Sequence, residues 1–171
     1  MRHEPMKILF PVDESPYSAF AEQALIEQAK SQNAEVLVLH VMDVLANLSM
    51  YDSYGTSDEI KRIEEDRELQ ANAFVKQAAK SISAAGIPTA TRVERGDPKS
   101  AVVEIAKQWG AELIVIGSHG RKGVEHFFLG SVSEAVARYA PCSVLIVRGR
   151  KPLDKTDITQ THDKCAHPSC T

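Results

Sequence analysis

The chain has 171 residues, 43% of them apolar and 25% charged, enough for one well-buried core and too few for two full α/β domains. A formal charge of −3 gives no general attraction to polyanions, so nucleic acid is not an expected partner and any bound phosphate must be held by local geometry. No apolar run approaches the roughly 20 residues of a membrane span, and Met1 to Pro5 leads into a strand-like run rather than a signal segment, so a cytoplasmic protein away from the membrane is expected.

Lys7 to Asp13 (KILFPVD) has the apolar density of a buried strand and stops just before Ser15-Pro16. Ser15 is placed to cap a helix with Pro16 at its first position. Phe20, Ala21, Ala24 and Leu25 then recur at helical spacing as far as Asn33. Glu35 to Val41 is again nearly all apolar and rich in β-branched residues, which predicts an interior strand covered on both faces. Val44 to Gly55 has no clean period and is expected to be a loop able to fold over a ligand.

Thr56 to Glu59 has the T-x-x-E form of a capping box. The long helix behind it carries Ala71, Phe74, Val75, Ala78 and Ile82 on one face and ends near Gly86. Thr89 to Glu94 alternates weakly and is polar, so it belongs at or near a sheet edge. Gly96-Asp97-Pro98 repeats the cap-then-proline signal, and Ala101, Val102, Ile105, Ala106 and Trp109 trace a regular apolar stripe closed by Gly110. Glu112 to Ile116 predicts the next interior strand, Ser131 to Tyr139 a fourth helix ended by Pro141, and Ser143 to Arg148 a last strand. Strands that alternate with helices, over crossovers too long for hairpins, predict one doubly wound parallel sheet of five strands with helices on both faces. In such a sheet ligands bind beyond the carboxyl ends of the strands, where Asp13, Val41 and Gly117 all fall.

Between the fourth strand and the fourth helix the chain reads G-x2-G-x9-G-S, as Gly117, Gly120, Gly130 and Ser131. Glycines that let the backbone approach an anion, followed by a helix N-terminus, are what a phosphate site needs. The spacing is neither a Walker A loop nor a G-x-G-x-x-G fingerprint, and by itself it also suits plain turns, with Ser131 and Glu134 forming an S-x-x-E capping box. Asp13, beside Ser15, suits a helix cap as well as a ligand. His119 suits a local backbone cap as well as a phosphate or acid role, and no general base is fixed beside a nucleophile.

Read together, these segments resemble the universal stress protein family, in particular its nucleotide-binding branch with the signature G-2x-G-9x-G-[ST]. Lys7 to Asp13 resembles the family's first strand, Leu39-His40-Val41 its second, Leu113 to Gly120 its fourth, and Pro141 to Val147 its closing strand. The S-G-G-x-D-S loop and H-I-G-H element of other branches of the adenine-nucleotide α-hydrolase-like group are not in the sequence. The resemblance implies a Rossmann-like or flavodoxin-like domain over residues 1–150 with strand order 3-2-1-4-5. It further implies that Asp13 binds the nucleoside, with Pro11 and Val12 beside the base, and that Val41 contacts adenine. Gly117 and Gly120 would line ribose and phosphates, while Gly130, Ser131, Val132 and Ser133 would offer N–H and hydroxyl donors to the phosphate chain. His119 and Arg121 would then stand next to those phosphates, with Lys122 and His126 in the same insert, although Arg121 and Lys122 equally suit plain solvation as loop cations. The ligand implied is ATP, or ADP or AMP, with Mg²⁺ or Mn²⁺ carried by the phosphates. Function is then expected to be that of a stress-response sensor or regulator with at most slow hydrolysis, acting on a protein partner not identified by the sequence. An ATP-hydrolysing or phosphotransfer enzyme and a nucleotide-free interaction module stay open as alternatives. A homodimer through the last strand, Ser143 to Val147, is also implied.

Residues 151–171 lose the apolar pattern and read as a polar tail outside the domain. His162, Cys165, His167 and Cys170 are ligand types that zinc accepts, at a spacing unlike standard zinc sites, so adventitious binding is the expectation. With Cys142, the three cysteines are an odd number and do not form a disulfide framework; Cys142 reads as a small buried residue.

Overall fold

The computed structural model describes residues 4–43, 57–120 and 129–149. Its elements run β1 (Met6–Pro11), α1 (Pro16–Gln32), β2 (Ala34–Asp43), α2 (Ser57–Ala84), β3 (Thr89–Gly96), α3 (Pro98–Trp109), β4 (Leu113–Gly117), α4 (Ser131–Tyr139) and β5 (Ser143–Val147). The loop expected over Val44 to Gly55, Thr56 of the expected capping box, Arg121, Lys122 and His126, and the tail 151–171 lie outside the described residues.

The five strands form one parallel sheet in the order β3-β2-β1-β4-β5, as the resemblance implied. Alternation along the strands sorts the core into two layers. Ile8, Phe10, Val36, Val38 and Val115 meet α1 and α2 through Ala21, Leu25, Ala29, Val75, Ala79 and Ile82. Leu9, Leu37, Leu39, Ile114 and Ile116 meet α3 and α4 through Val102, Ile105, Ala106 and Val136. Both faces of β1, β2 and β4 are thus covered, which is why these three strands read as unbroken apolar runs. The polar strand β3 stands at one edge of the sheet, as its composition requires.

Several local expectations change. Phe20 is 39% exposed, and its ring lies over the bare backbone of Gly149 instead of joining the core. Ser15 does occupy the N-cap position of α1, but its side chain makes no cap bond because its hydroxyl is directed to Asp13. The N-cap of α4 is Gly130, not Ser131; Ser131 is already the first helical residue, and Glu134 pairs with Arg138 instead of reaching back as a capping box would. Cys142 is only partly buried, against the α3/α4 layer.

The sheet opens where a site is needed. β1 stays paired with β2 as far as Pro11 opposite Leu39, whereas its pairing with β4 covers only Ile8 and Leu9. Val12 sends its N–H to the Leu39 carbonyl on β2, so backbone alternation turns position 11 toward β4, where proline has no N–H to give. β1 and β4 part at their carboxyl ends, at the point where the strand order reverses direction.

Candidate functional site

A cleft of about 710 Å³ lies over this opening. It runs from the ends of β1 and β2 to the loop after β4 and the start of α4. Pro11, Val12, Asp13, Val41, Gly117, His119, Gly120, Gly130, Ser131, Val132 and Ser133 all line it, which gathers eleven expected site residues from four separate segments; Arg121 lies outside the described residues. Apolar walls come from Leu39, Val41, Val102 and Ile116, and polar groups stand at both ends.

At the β1 end, Asp13 follows the strand and turns into α1. Its Oδ1 accepts the Ser15 N–H at 3.2 Å, the Ser15 hydroxyl at 2.5 Å and the Ser18 hydroxyl at 2.8 Å. The contact with the N–H two residues on makes an Asx turn, the local habit of aspartate that also suits it to helix starts. Here the residue at the N-cap itself is Ser15.

At the β4 end the backbone is packed closely. A Cβ on Gly117 would sit 2.9 Å from the Tyr17 main chain, so this glycine lets α1 approach β4 as well as lining the cleft. A Cβ on Gly120 would meet Asp13 Oδ2 at 2.8 Å, so the second glycine faces the carboxylate from across the opening. Gly130 is tied to the loop by its N–H to the Ser118 carbonyl at 2.8 Å. The first intrahelical bond of α4 runs from the Glu134 N–H to Gly130 O, which leaves the N–H groups of Ser131, Val132 and Ser133 ahead of it at the positive end of the helix. The Ser133 hydroxyl has one proton and two carbonyls within reach, Gly130 at 2.8 Å and Ser118 at 2.9 Å, so it fastens the loop and what Ser133 can offer a ligand is its N–H.

His119 lies between the two glycines, its ring tilted against Tyr17 with centroids 5.0 Å apart and its Nδ1 3.0 Å from the Ser118 hydroxyl. Its Nε2 is buried and has no hydrogen-bond partner among the described residues, a situation that costs about 1–3 kcal/mol unless something supplies one. The neighbouring Ser118 is 1% exposed and is not among the cleft-lining residues, so the contact does not present a nucleophile to the cleft.

The pattern of strand ends did not reveal Ser18, Leu39, His40, Asp43, Asp97, Pro98, Lys99 and Leu129, which also line the cleft. Asp97, Pro98 and Lys99 were legible only as a helix start; it is the placement of β3 beside β2 that brings that start to the same end of the sheet. Asp97 caps α3, accepting from Ser100 N at 3.1 Å and Ser100 Oγ at 2.8 Å, and these bonds hold its carboxyl below the usual range. Asp13, Asp43 and Asp97 bring carboxylates to the cleft, yet among the described residues no three His, Cys, Asp or Glu are grouped to hold a metal ion.

The model of the universal stress protein family matches residues 5–148. The chain belongs to the universal stress protein family. Universal stress protein Sll1388 of Synechocystis is 31% identical over 149 residues, 83% of this chain and 97% of its own length. Among solved structures, the hypothetical protein MJ0577 superposes with a TM-score of 0.75 at 25% identity, covering 86% of this universal stress protein and 98% of that chain. A universal stress protein in complex with cAMP superposes with a TM-score of 0.58 at 25% identity, over 83% of this chain and 95% of that one. Among the described residues no helix is long and apolar enough to cross a membrane.

Proposed function

We propose that this universal stress protein binds an adenine nucleotide in the cleft, ATP or its ADP and AMP counterparts, and works in the cytoplasm as a nucleotide-dependent sensor or regulator in a stress response. The observation that carries the reading is the convergence, at the one point where β1 and β4 separate, of an acceptor suited to a nucleoside and a set of donors suited to phosphate. Asp13 can only accept when ionised, so it suits ribose hydroxyls and repels phosphate. The N–H groups that open α4 do the reverse. The base then lies against Val12, Leu39, Val41 and Val102, and His119 Nε2 gains a phosphate oxygen as its partner. A relative of the same fold crystallised with cAMP supports an adenine nucleotide as the ligand class. Mg²⁺ or Mn²⁺ accompanies the nucleotide on its phosphate oxygens, the usual way such ions are held beside phosphates. The domain that does this occupies residues 1–150, with 151–171 as a tail, and it pairs with a second copy through β5.

Mass spectrometry of the small molecules released by denaturing the purified protein, followed by calorimetric titration with ATP and Mg²⁺, tests the reading. An adenine nucleotide released, or saturable binding to the emptied protein, is expected. Neither released nucleotide nor binding would leave a module in which the loop is only structural. Turnover far above a slow background, abolished by substituting Gly130 or Ser131, would favour an ATP-hydrolysing or phosphotransfer enzyme in the same pocket.

A further inference from the structure

Asp13 is held far more firmly than a surface carboxylate. Three donors converge on Oδ1, and the Ser18 hydroxyl that donates to it at 2.8 Å also accepts the Asp13 N–H at 3.0 Å. One hydroxyl therefore bridges the main chain and side chain of the same residue and fixes the direction of its carboxylate. Ser15, 7% exposed, adds the 2.5 Å bond from its hydroxyl, whose other near acceptor is the His119 carbonyl at 3.4 Å. Ser15 thus stands between the β1 turn and the β4 loop. The other oxygen, Oδ2, lies toward Gly120, whose added Cβ would come within 2.8 Å of it, and Gly120 lines the cleft. The spacing behind this, D-x-S-x-x-S over residues 13–18, is legible in the chain but has no role in the reading above.

We propose that Ser15 and Ser18 are positioning residues that aim the Asp13 carboxylate at the ribose hydroxyls of the bound nucleotide, and so make the cleft selective for ribonucleotides over nucleotides lacking those hydroxyls. The inference rests on the adenine-nucleotide reading and adds to it the source of sugar selectivity. Its physical basis is preorganisation: a carboxylate already locked in one rotamer loses little freedom when a hydroxyl donates to it, so the bond contributes more to affinity than one to a mobile side chain. Ser15 is the cleaner probe, because it does not line the cleft and can act on a ligand only through its partners; Ser18 does line it.

The test is calorimetric titration of the full chain with ATP and with 2′,3′-dideoxy-ATP, both with Mg²⁺, on the wild type, Ser15→Ala, Ser18→Ala, Ser18→Thr, Asp13→Ala and the Ser15→Ala/Asp13→Ala pair. The wild type should prefer ATP. Ser15→Ala and Ser18→Ala should each weaken ATP about three- to tenfold, the scale of a hydrogen bond to a charged group partly lost, and leave the dideoxy analogue within about twofold. Ser18→Thr should restore the preference, Asp13→Ala should abolish it, and Ser15→Ala should then change the ratio no further. Equal weakening of both ligands by the serine variants would reduce the serines to structural residues and overturn the proposal. A wild type that binds both ligands equally would overturn it too while leaving the nucleotide reading intact. A wild type that binds neither would remove that reading, and the proposal with it.

Discussion

Gly117, at the end of β4, and Gly120, three residues on, both lack a Cβ, and the structure gives them different work. At Gly117 the nearest atoms are main chain of Tyr17, part of a helix packed on the sheet, which cannot yield. Gly117→Ala should therefore act on the fold, costing about 1–3 kcal/mol as an overpacked site does, measured by urea unfolding. At Gly120 the obstacle is the Asp13 carboxylate. Gly120→Ala should lower affinity for ATP about tenfold or more by displacing that carboxylate, read by calorimetry, and should cost about 1 kcal/mol of stability through the Ser15 and Ser18 bonds it disturbs. If Gly120→Ala instead unfolds the protein while ATP affinity per folded molecule is kept, the placement of Asp13 in the site is wrong. The sequence motif marked both glycines for a ligand, because spacing records only that a Cβ is missing. What the missing Cβ makes room for, a helix in one case and an acid in the other, depends on α1 lying across β4.

Helix starts show the same limit one level up. Four were expected from capping residues, at Ser15, Thr56, Asp97 and Ser131, and the three starts whose caps are described follow three different schemes. Asp97 caps α3 through its own side chain, Gly130 stands at the N-cap of α4 with no side chain to offer, and Ser15 begins α1 without any side-chain cap bond. A sequence shows that a capping residue is present; whether its oxygen turns to the helix or to a neighbour such as Asp13 is settled by what packs beside it. Asp97 gives the clearest test. Its carboxyl is held below the usual range first by the Ser100 hydroxyl, so its charged form is favoured in the folded state. The associated stability is present above the ordinary carboxylate range and is lost as pH falls through the lowered folded value, below about pH 4. Asp97→Ala should cost about 1 kcal/mol at neutral pH, whereas Asp97→Asn keeps an N-cap acceptor and should cost less. The difference between wild type and Asp97→Asn should narrow on acidification, and a difference that stays constant down to pH 3 in chemical unfolding would refute the role of charge.

At the scale of the molecule, the alternation of apolar runs with capped helices was enough to give a doubly wound sheet, since buried strands, helical stripes and right-handed crossovers leave few alternatives. Strand order was available only through family resemblance, because nothing local says on which side of β1 the chain will place β4. The two edges of the sheet, by contrast, are written plainly in side chains. β3 ends the sheet with Arg92, Glu94 and Arg95, paired to each other or to Glu64 and Glu68 of α2, and such charge discourages another strand from adding on. β5 ends it with Ser143 to Val147, which carries no charge and turns Leu145 outward at 36% exposure. An uncharged edge of that kind is stable in water when something pairs with it, and a second β5 running antiparallel about a two-fold axis satisfies its free backbone groups on both copies. The protein should therefore sediment as a dimer at micromolar concentration. Leu145→Lys should place two cations at the shared edge and shift the species to monomer with far-ultraviolet dichroism unchanged, whereas Arg92→Lys on the opposite edge should leave the dimer intact. A wild type that sediments as a monomer at tens of micromolar would show that β5 is tolerated as a bare edge and would overturn the pairing proposed through it.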